Sequence, residues 1–276
     1  MGSSNIIPVG RNDQASFMAF GDDSHFNDTL AYAFAIVERG RVGAIEQRLS
    51  ALKDRFKIPQ DVVLHCRVLF SGHQREKAGL SHLTRRDIER VVSHVVRIMN
   101  QHRVLVRYSV CSLAEWKAAI GDEIELLDAY NKPAERVPVN ADPKGILTLL
   151  AQACFAVPPD GSEGPTASQC QIVVSGERTM VRFVGRTRKR ADLMYSGFSD
   201  IGAPDGQAFQ LDPTIVDAAD APLLQLADVA AYICSHAWKV DAESAFFKQQ
   251  HAHLRHWLRK IIVADANHDA TFPISA

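Results

Sequence analysis

The stretch that most constrains this chain is Ala221-Pro222-Leu223-Leu224-Gln225-Leu226-Ala227-Asp228-Val229-Ala230-Ala231-Tyr232-Ile233. Pro222 suits the first turn of a helix, where a missing N–H costs nothing, and Asp220 stands where a cap is needed. The residues that follow are apolar around almost the whole circumference, which predicts a helix buried on most sides. An aspartate nevertheless sits in its middle. A buried carboxylate is costly unless it is paired, protonated or bound to a metal. Gln225, Asp228, Tyr232 and His236 fall at i, i+3, i+7 and i+11, one narrow polar stripe on an apolar surface. Two explanations stand open: a structural carboxylate satisfied by a cap or an arginine, and a functional one.

The 276 residues suffice for one large domain or two modest ones, with 46% hydrophobic and 23% charged residues and no disorder signature. A formal net charge of −1 leaves any nucleic-acid partner to a local patch. The five cysteines form no CxxC pair, which predicts reduced core thiols. The first residues lack the basic and long apolar regions of a signal peptide, and no apolar run approaches the roughly 20 residues of a membrane span. A cytoplasmic protein without a membrane partner is expected.

Along the chain, Ser16–Gly21 reads as a buried strand ending at Asp22-Asp23-Ser24-His25, and Leu30–Val37 as its hairpin partner. Gly43–Lys57 reads as a helix, Asp61–His65 as a third strand, Ser71–Gly79 as a polar loop, and Thr84 as the cap of a helix reaching about His102. Val104–Val110 alternates as a strand, and Ser112 is expected to cap a helix from Leu113 to about Tyr130. A polar loop over Pro133–Pro143 and a short helix over Gly145–Val157 follow. Cys170–Val174 reads as a strand leading to a helix near Glu177, Ala208–Leu211 as an edge strand, and Ala242–Val263 as a terminal amphipathic helix. The alternation predicts an α/β protein whose mixed central sheet is flanked by helices on both faces.

The chemistry is sought where acids leave strand ends. Asp22 and Asp23 follow the first strand, Glu177 follows the strand at 171–174, and Asp228 lies in the buried helix. A solvated turn would equally suit Asp22-Asp23, and the helix dipole alone would favour Glu177. Brought together, such carboxylates repel unless cations neutralise them, and hard Mg²⁺ or Mn²⁺ is the natural partner. Two such ions about 4 Å apart would clamp a scissile phosphate and activate a water. Arg178, Arg182 and Arg186 recur at i, i+4 and i+8 beside Glu177. They are read either as a solvated face or as contacts to a nucleic-acid backbone, with no base readout.

Phe20-Gly21-Asp22-Asp23-Ser24 resembles the opening Asp-Glu-Ser motif of the domain-of-unknown-function 3800 family. Leu64-His65 and Val173-Val174-Ser175-Gly176-Glu177-Arg178 resemble its middle elements, and Leu224–Val229 is similar to its closing Leu-Gln-Leu-Ala-Asp signature. The resemblance spans roughly residues 17–240 and implies a ribonuclease H-like α/β fold with acidic residues that bind divalent metal for phosphodiester cleavage. It implies Asp22, Glu177 and Asp228 as Mg²⁺ or Mn²⁺ ligands, with Asp23 and His65 as supporting catalytic residues. Where the family shows Asp-Glu in its middle strand, this chain has Gly176-Glu177, one carboxylate fewer.

The resulting organisation is a flexible leader (1–14), a ribonuclease H-like domain (15–240, with a flexible loop near 158–169) and a C-terminal helix packed on it (241–276). His65 is read either as a hydrogen-bonded core residue or as a group that orients a water or leaving group, and His25 could act likewise. His251, His253 and His256 are spaced i, i+2, i+5, which does not make a zinc site. GxSxG, P-loop, GxGxxG and HExxH motifs are absent from the sequence. The expected function is therefore a metal-dependent nuclease or phosphodiesterase. The alternatives are a non-catalytic interaction or regulatory module on the same fold, and a metal-dependent hydrolase of a small phosphate ester. A homo-oligomer or a protein partner is left open.

Overall fold

The computed structural model describes residues 7–9, 14–114, 123–127, 133–138, 146–147, 150–151, 154–155, 165, 169–175, 209–211 and 214–239. Its centre is a hairpin of β2 (Phe17–Phe26) and β3 (Thr29–Glu38), paired antiparallel from Phe17↔Glu38 to Phe26↔Thr29. Asn27, at φ 55°, takes the left-handed backbone that asparagine tolerates and closes the turn. On the far side of β3 lies β4 (Leu105–Ser112), also antiparallel. On the far side of β2 lies β7 (Cys170–Ser175), parallel, followed by β9 (Thr214–Val216), parallel to β7. The sheet order is thus β4-β3-β2-β7-β9. Two smaller pairings accompany it. β1 (Ile7–Val9) runs parallel to β8 (Phe209–Leu211), and β5 (Glu123–Leu127) is antiparallel to β6 (Pro133–Pro138).

Both faces of the sheet are covered, and the alternation of strand side chains shows which residue meets which layer. Phe20, Ala33, Ala35, Val37 and Val173 pack with α1 (Val42–Arg55), α4 (Arg85–Gln101) and α5 (Leu224–Lys239). Ala19, Tyr32, Phe34, Ile36, Ile172 and Val174 pack on the opposite face with Ile146, Leu150, Cys154 and Phe155. Nine of the ten β3 residues are buried, as expected of a strand covered on both sides. α4 is a clean amphipathic helix with Ile88, Val91, Val92, Val95 and Met99 turned inward. It is closed by a reciprocal capping box between Thr84 and Asp87. Two short helices, α2 (Cys66–Phe70) and α3 (Gly72–Lys77), bridge from the α1 loop to α4.

Several expectations are corrected. The third strand anticipated at 61–65 forms no ladder. The backbone N–H groups of Leu64 and Cys66 are instead taken by two side chains of α5. The loop anticipated at 71–79 contains α3, because Ser71 accepts from Gln74 N and caps it. The helix expected from Leu113 to about Tyr130 is present at Leu113–Ala114 but does not extend through 123–127, which is strand β5. The Ser112 hydroxyl donates to Asp28 Oδ2 at 2.9 Å, and β5 pairs antiparallel with β6, which stands within the stretch 133–143 expected to be a polar loop. The stretch taken for a leader contains β1, and β9 had no reading. β2 does not stop at Gly21 but continues through Asp22 and Asp23 to Phe26. α5 begins at Leu224, two residues later than Pro222 suggested, and Asp217 rather than Asp220 caps the turn before it through Ala219 N. The expected helices at 177 and 242–263 and the loop near 158–169 lie largely or wholly outside the described residues. Among the described residues no helix is long and apolar enough to cross a membrane.

Candidate functional site

Asp22 marks the point where β2 outruns its parallel neighbour. The β2–β7 ladder ends at Gly21↔Val174, whereas the β2–β3 ladder continues through Asp22↔Ala33. Asp22 is therefore the first residue beyond the parallel pairing, at the carboxyl end of the strands, where open α/β sheets gather their ligands. The preceding Gly21 is required by close packing. A Cβ there would meet the ring of Phe34, with Cδ1 at 2.9 Å and Cζ at 3.0 Å.

Strand alternation separates the two acids. Phe20 and Ala33 belong to the face covered by α5, and Ser24, two residues from Asp22, meets Ser235 of α5 at 2.9 Å. Asp22 shares that face. Asp23, opposite Tyr32, is on the face of Phe34 and Phe155. Asp23 touches the site through its backbone N–H, which donates to Asp22 Oδ1 at 2.9 Å, and through its charge.

α5 supplies the facing wall. Gln225 and Asp228, 2% and 6% exposed, both point at the segment entering α2. Gln225 Oε1 accepts from Leu64 N at 2.8 Å, and Gln225 Nε2 donates to Pro222 O at 2.9 Å, which fixes the amide. Asp228 Oδ2 accepts from Cys66 N at 2.7 Å. Its Oδ1 makes a 2.5 Å charge contact with His65 Nδ1 that lacks the alignment of a hydrogen bond. The buried carboxylate is thus satisfied by a cap on α2 and an imidazole, not by an arginine.

The rest of the stripe is aromatic. Tyr232 stacks on Phe70 of α2, with centroids 4.7 Å apart and planes 3° apart, and meets His236 in a tilted contact at 3.8 Å. His236 in turn stacks on Phe26 at 3.9 Å.

The electrostatics single out Asp22. Part of the residue reaches solvent, but its carboxyl is enclosed by protein. Burial, then the charges of Asp228 and Asp23, push its pKa well above the ordinary carboxylate range. The hydrogen bond from Asp23 N and the nearby His65 oppose this without cancelling it. Burial and Asp228 likewise push the Cys66 thiol up, which makes it an inert core group. The Tyr232 phenol is raised mainly by burial.

The structure therefore brings together Asp22, His65 and Asp228, and sets Asp23 on the other side of the strand. Glu177, Arg178, Arg182 and Arg186 lie outside the described residues. His25 is exposed near the end of β2. Gln225 was legible in the i, i+3 stripe but had no assigned role. Its partner is a backbone N–H, which no sequence pattern displays. Among the described residues, no group of three or more His, Cys, Asp or Glu side chains is placed to hold a metal ion. No protein-family model, curated protein or solved structure matches the chain.

Proposed function

We propose that this chain is a divalent-metal-dependent phosphodiester hydrolase of the nuclease type, on a ribonuclease H-like fold of the domain-of-unknown-function 3800 family. The observation that carries the reading is the pairing of Asp22 with Asp228 on one face of the sheet. The Asp228 charge, added to burial, disfavours the charged form of Asp22, and the hydrogen bond from Asp23 N and the nearby His65 offset this only in part. A mixed sheet in which an antiparallel hairpin is extended by parallel strands, with the leading acid on its central strand, supports the same reading.

The donor set suits Mg²⁺ or Mn²⁺, which take hard carboxylate oxygens. Asp228 has both oxygens engaged, yet a carboxylate offers about four lone-pair sites, so it can still ligate. Asp22 and Asp228 would hold the ion, and a third donor has to come from outside the described residues. Glu177, two positions beyond Ser175 at the end of β7, is the proposed third. When bound, the cation supplies charge to a phosphate oxygen and acidifies a coordinated water. His65 stands beside both acids and would orient water or leaving group. Asp23 acts at a distance by charge. Arg178, Arg182 and Arg186 would contact the nucleic-acid backbone.

Purified full-length protein with Mn²⁺ should cut labelled RNA or DNA. Asp22→Asn should lose that activity while staying folded, and the triple Arg178, Arg182, Arg186→Ala variant should flatten its salt dependence. Absence of both cleavage and saturable Mn²⁺ binding by calorimetry would overturn the proposal. Salt-independent activity on a small phosphate ester would redirect it to that substrate class.

A second reading rests on a different observation. Asp228 already has structural partners at both oxygens, Cys66 N and His65, and Gly176 replaces an acid. A non-catalytic module for a protein partner would keep that clamp and bind no Mn²⁺.

A further inference from the structure

We infer that Gln225 is a positioning residue whose task is to deliver His65 to the acidic pair. Two hydrogen bonds straddle His65. Gln225 Oε1 holds the N–H before it, at Leu64, and Asp228 Oδ2 holds the N–H after it, at Cys66. Both N–H groups are buried, so neither can exchange its partner for water. Between these two points the backbone turns tightly, with His65 N donating to Val63 O at 2.9 Å and His65 O accepting from Leu69 N at 2.9 Å.

Four constraints thus fix the backbone of one residue, and a fifth, the Asp228 contact, fixes its ring. The contact uses Nδ1, so the nitrogen that Asp228 does not hold is Nε2. The imidazole is not sealed in: 31% of the side chain is accessible, against 8% for the Asp228 carboxylate that holds it. A backbone fixed at this many points beneath a partly accessible imidazole is the pattern of a group kept in register with something that arrives from outside. Gln225 makes this register specific. Its own amide is locked by Pro222 O, so the carbonyl end and not the NH₂ end faces Leu64. The role rests on the hydrolase reading only for its turnover consequence.

The test compares wild type, Gln225→Met and Gln225→Glu as full-length chains. Met matches the length of Gln without its acceptor, and Glu, read below the ordinary carboxylate pKa so that it is protonated, keeps an acceptor oxygen for Leu64 N and an O–H for Pro222 O. Amide hydrogen exchange at Leu64 and the ¹⁵N signals of the His65 ring are read by NMR, and Mn²⁺-dependent cleavage of a labelled oligonucleotide is read alongside. In Gln225→Met, Leu64 exchange should rise about tenfold, the ring signals should move, and kcat should fall about tenfold with KM nearly unchanged. Gln225→Glu should recover most of the exchange and ring-signal changes.

Unchanged Leu64 exchange in a folded Gln225→Met overturns the clamp. Faster exchange with unmoved ring signals overturns the positioning role and leaves Gln225 merely structural. If Gln225→Met does not fold, Gln225→Glu decides: wild-type exchange and ring signals support the clamp, and loss of both despite the retained acceptor overturns it. Wild-type protein inert toward the oligonucleotide would count against the hydrolase reading, while exchange and ring signals would still decide the clamp.

Discussion

The two walls of the candidate site hold their backbones in different ways. β2 is fixed by ladders, with β3 along its whole length and with β7 as far as Gly21. The segment at 61–65, as apolar as a strand, has no ladder. Two side chains from α5 take the N–H groups of Leu64 and Cys66 in its place. A ladder spreads its cost over many bonds, so one change is absorbed. A side-chain clamp concentrates it, because a buried N–H that loses its partner has no substitute. The acid on the ladder wall, Asp22, is the one whose charged form its surroundings disfavour. The acid on the clamp wall, Asp228, is the one that is satisfied.

The largest effect is expected from Asp22→Asn, which should abolish Mn²⁺-dependent cleavage and remove a pH trend in stability. Because the folded state raises the pKa of Asp22, it holds the proton more tightly than the unfolded chain does. Its contribution is fully present below the ordinary carboxylate pKa and is lost as pH rises through the raised value. In metal-free buffer, urea melts of wild type should therefore show that loss, and Asp22→Asn should not. Equal pH slopes would mean that Asp22 is not the strained acid.

Asp228→Ala is expected to cost about 3 kcal/mol in urea unfolding, since it orphans the buried Cys66 N–H and removes the carboxylate that meets His65 Nδ1. A loss under about 1 kcal/mol would show that water replaces the clamp.

Gly21→Ala tests the ladder wall. Its Cβ runs into the Phe34 ring, so a loss of about 2 kcal/mol is expected. Phe34→Leu should recover part of it in the double variant, and additive losses would remove the clash as the cause. Gln225→Met should cost least, about 1 kcal/mol, through the Leu64 N–H alone. Combined with Asp228→Ala it should be less than additive, because once one grip on 64–66 is gone the other holds less. Full additivity would mean two independent bonds.

Elements governed by local periodicity were legible in the residues. α1, α4, the β2–β3 hairpin, β4 and β7 stand close to where apolar spacing and the Thr84 cap put them, since burying one face dictates the spacing. Within the helix expected at 113–130, residues 123–127 suit either state, and pairing with 133–138 makes them a strand. At the candidate site, the residues flagged Asp22, His65 and Asp228 as chemistry and α5 as buried. The residues could not show that Asp22 and Asp23 part company across β2, because the strand was expected to end before them.

What the sequence determined by itself was a buried helix with a polar stripe that has to be answered by something. Period and composition force that, since a carboxylate at such a position cannot be left alone. Only the tertiary structure decided the answer. Gln225 and Asp228 meet two backbone N–H groups more than 160 residues earlier in the chain, and Tyr232 and His236 meet aromatic rings. Backbone donors are the same in every non-proline residue, so no side-chain pattern marks which of them a distant glutamine or aspartate will hold.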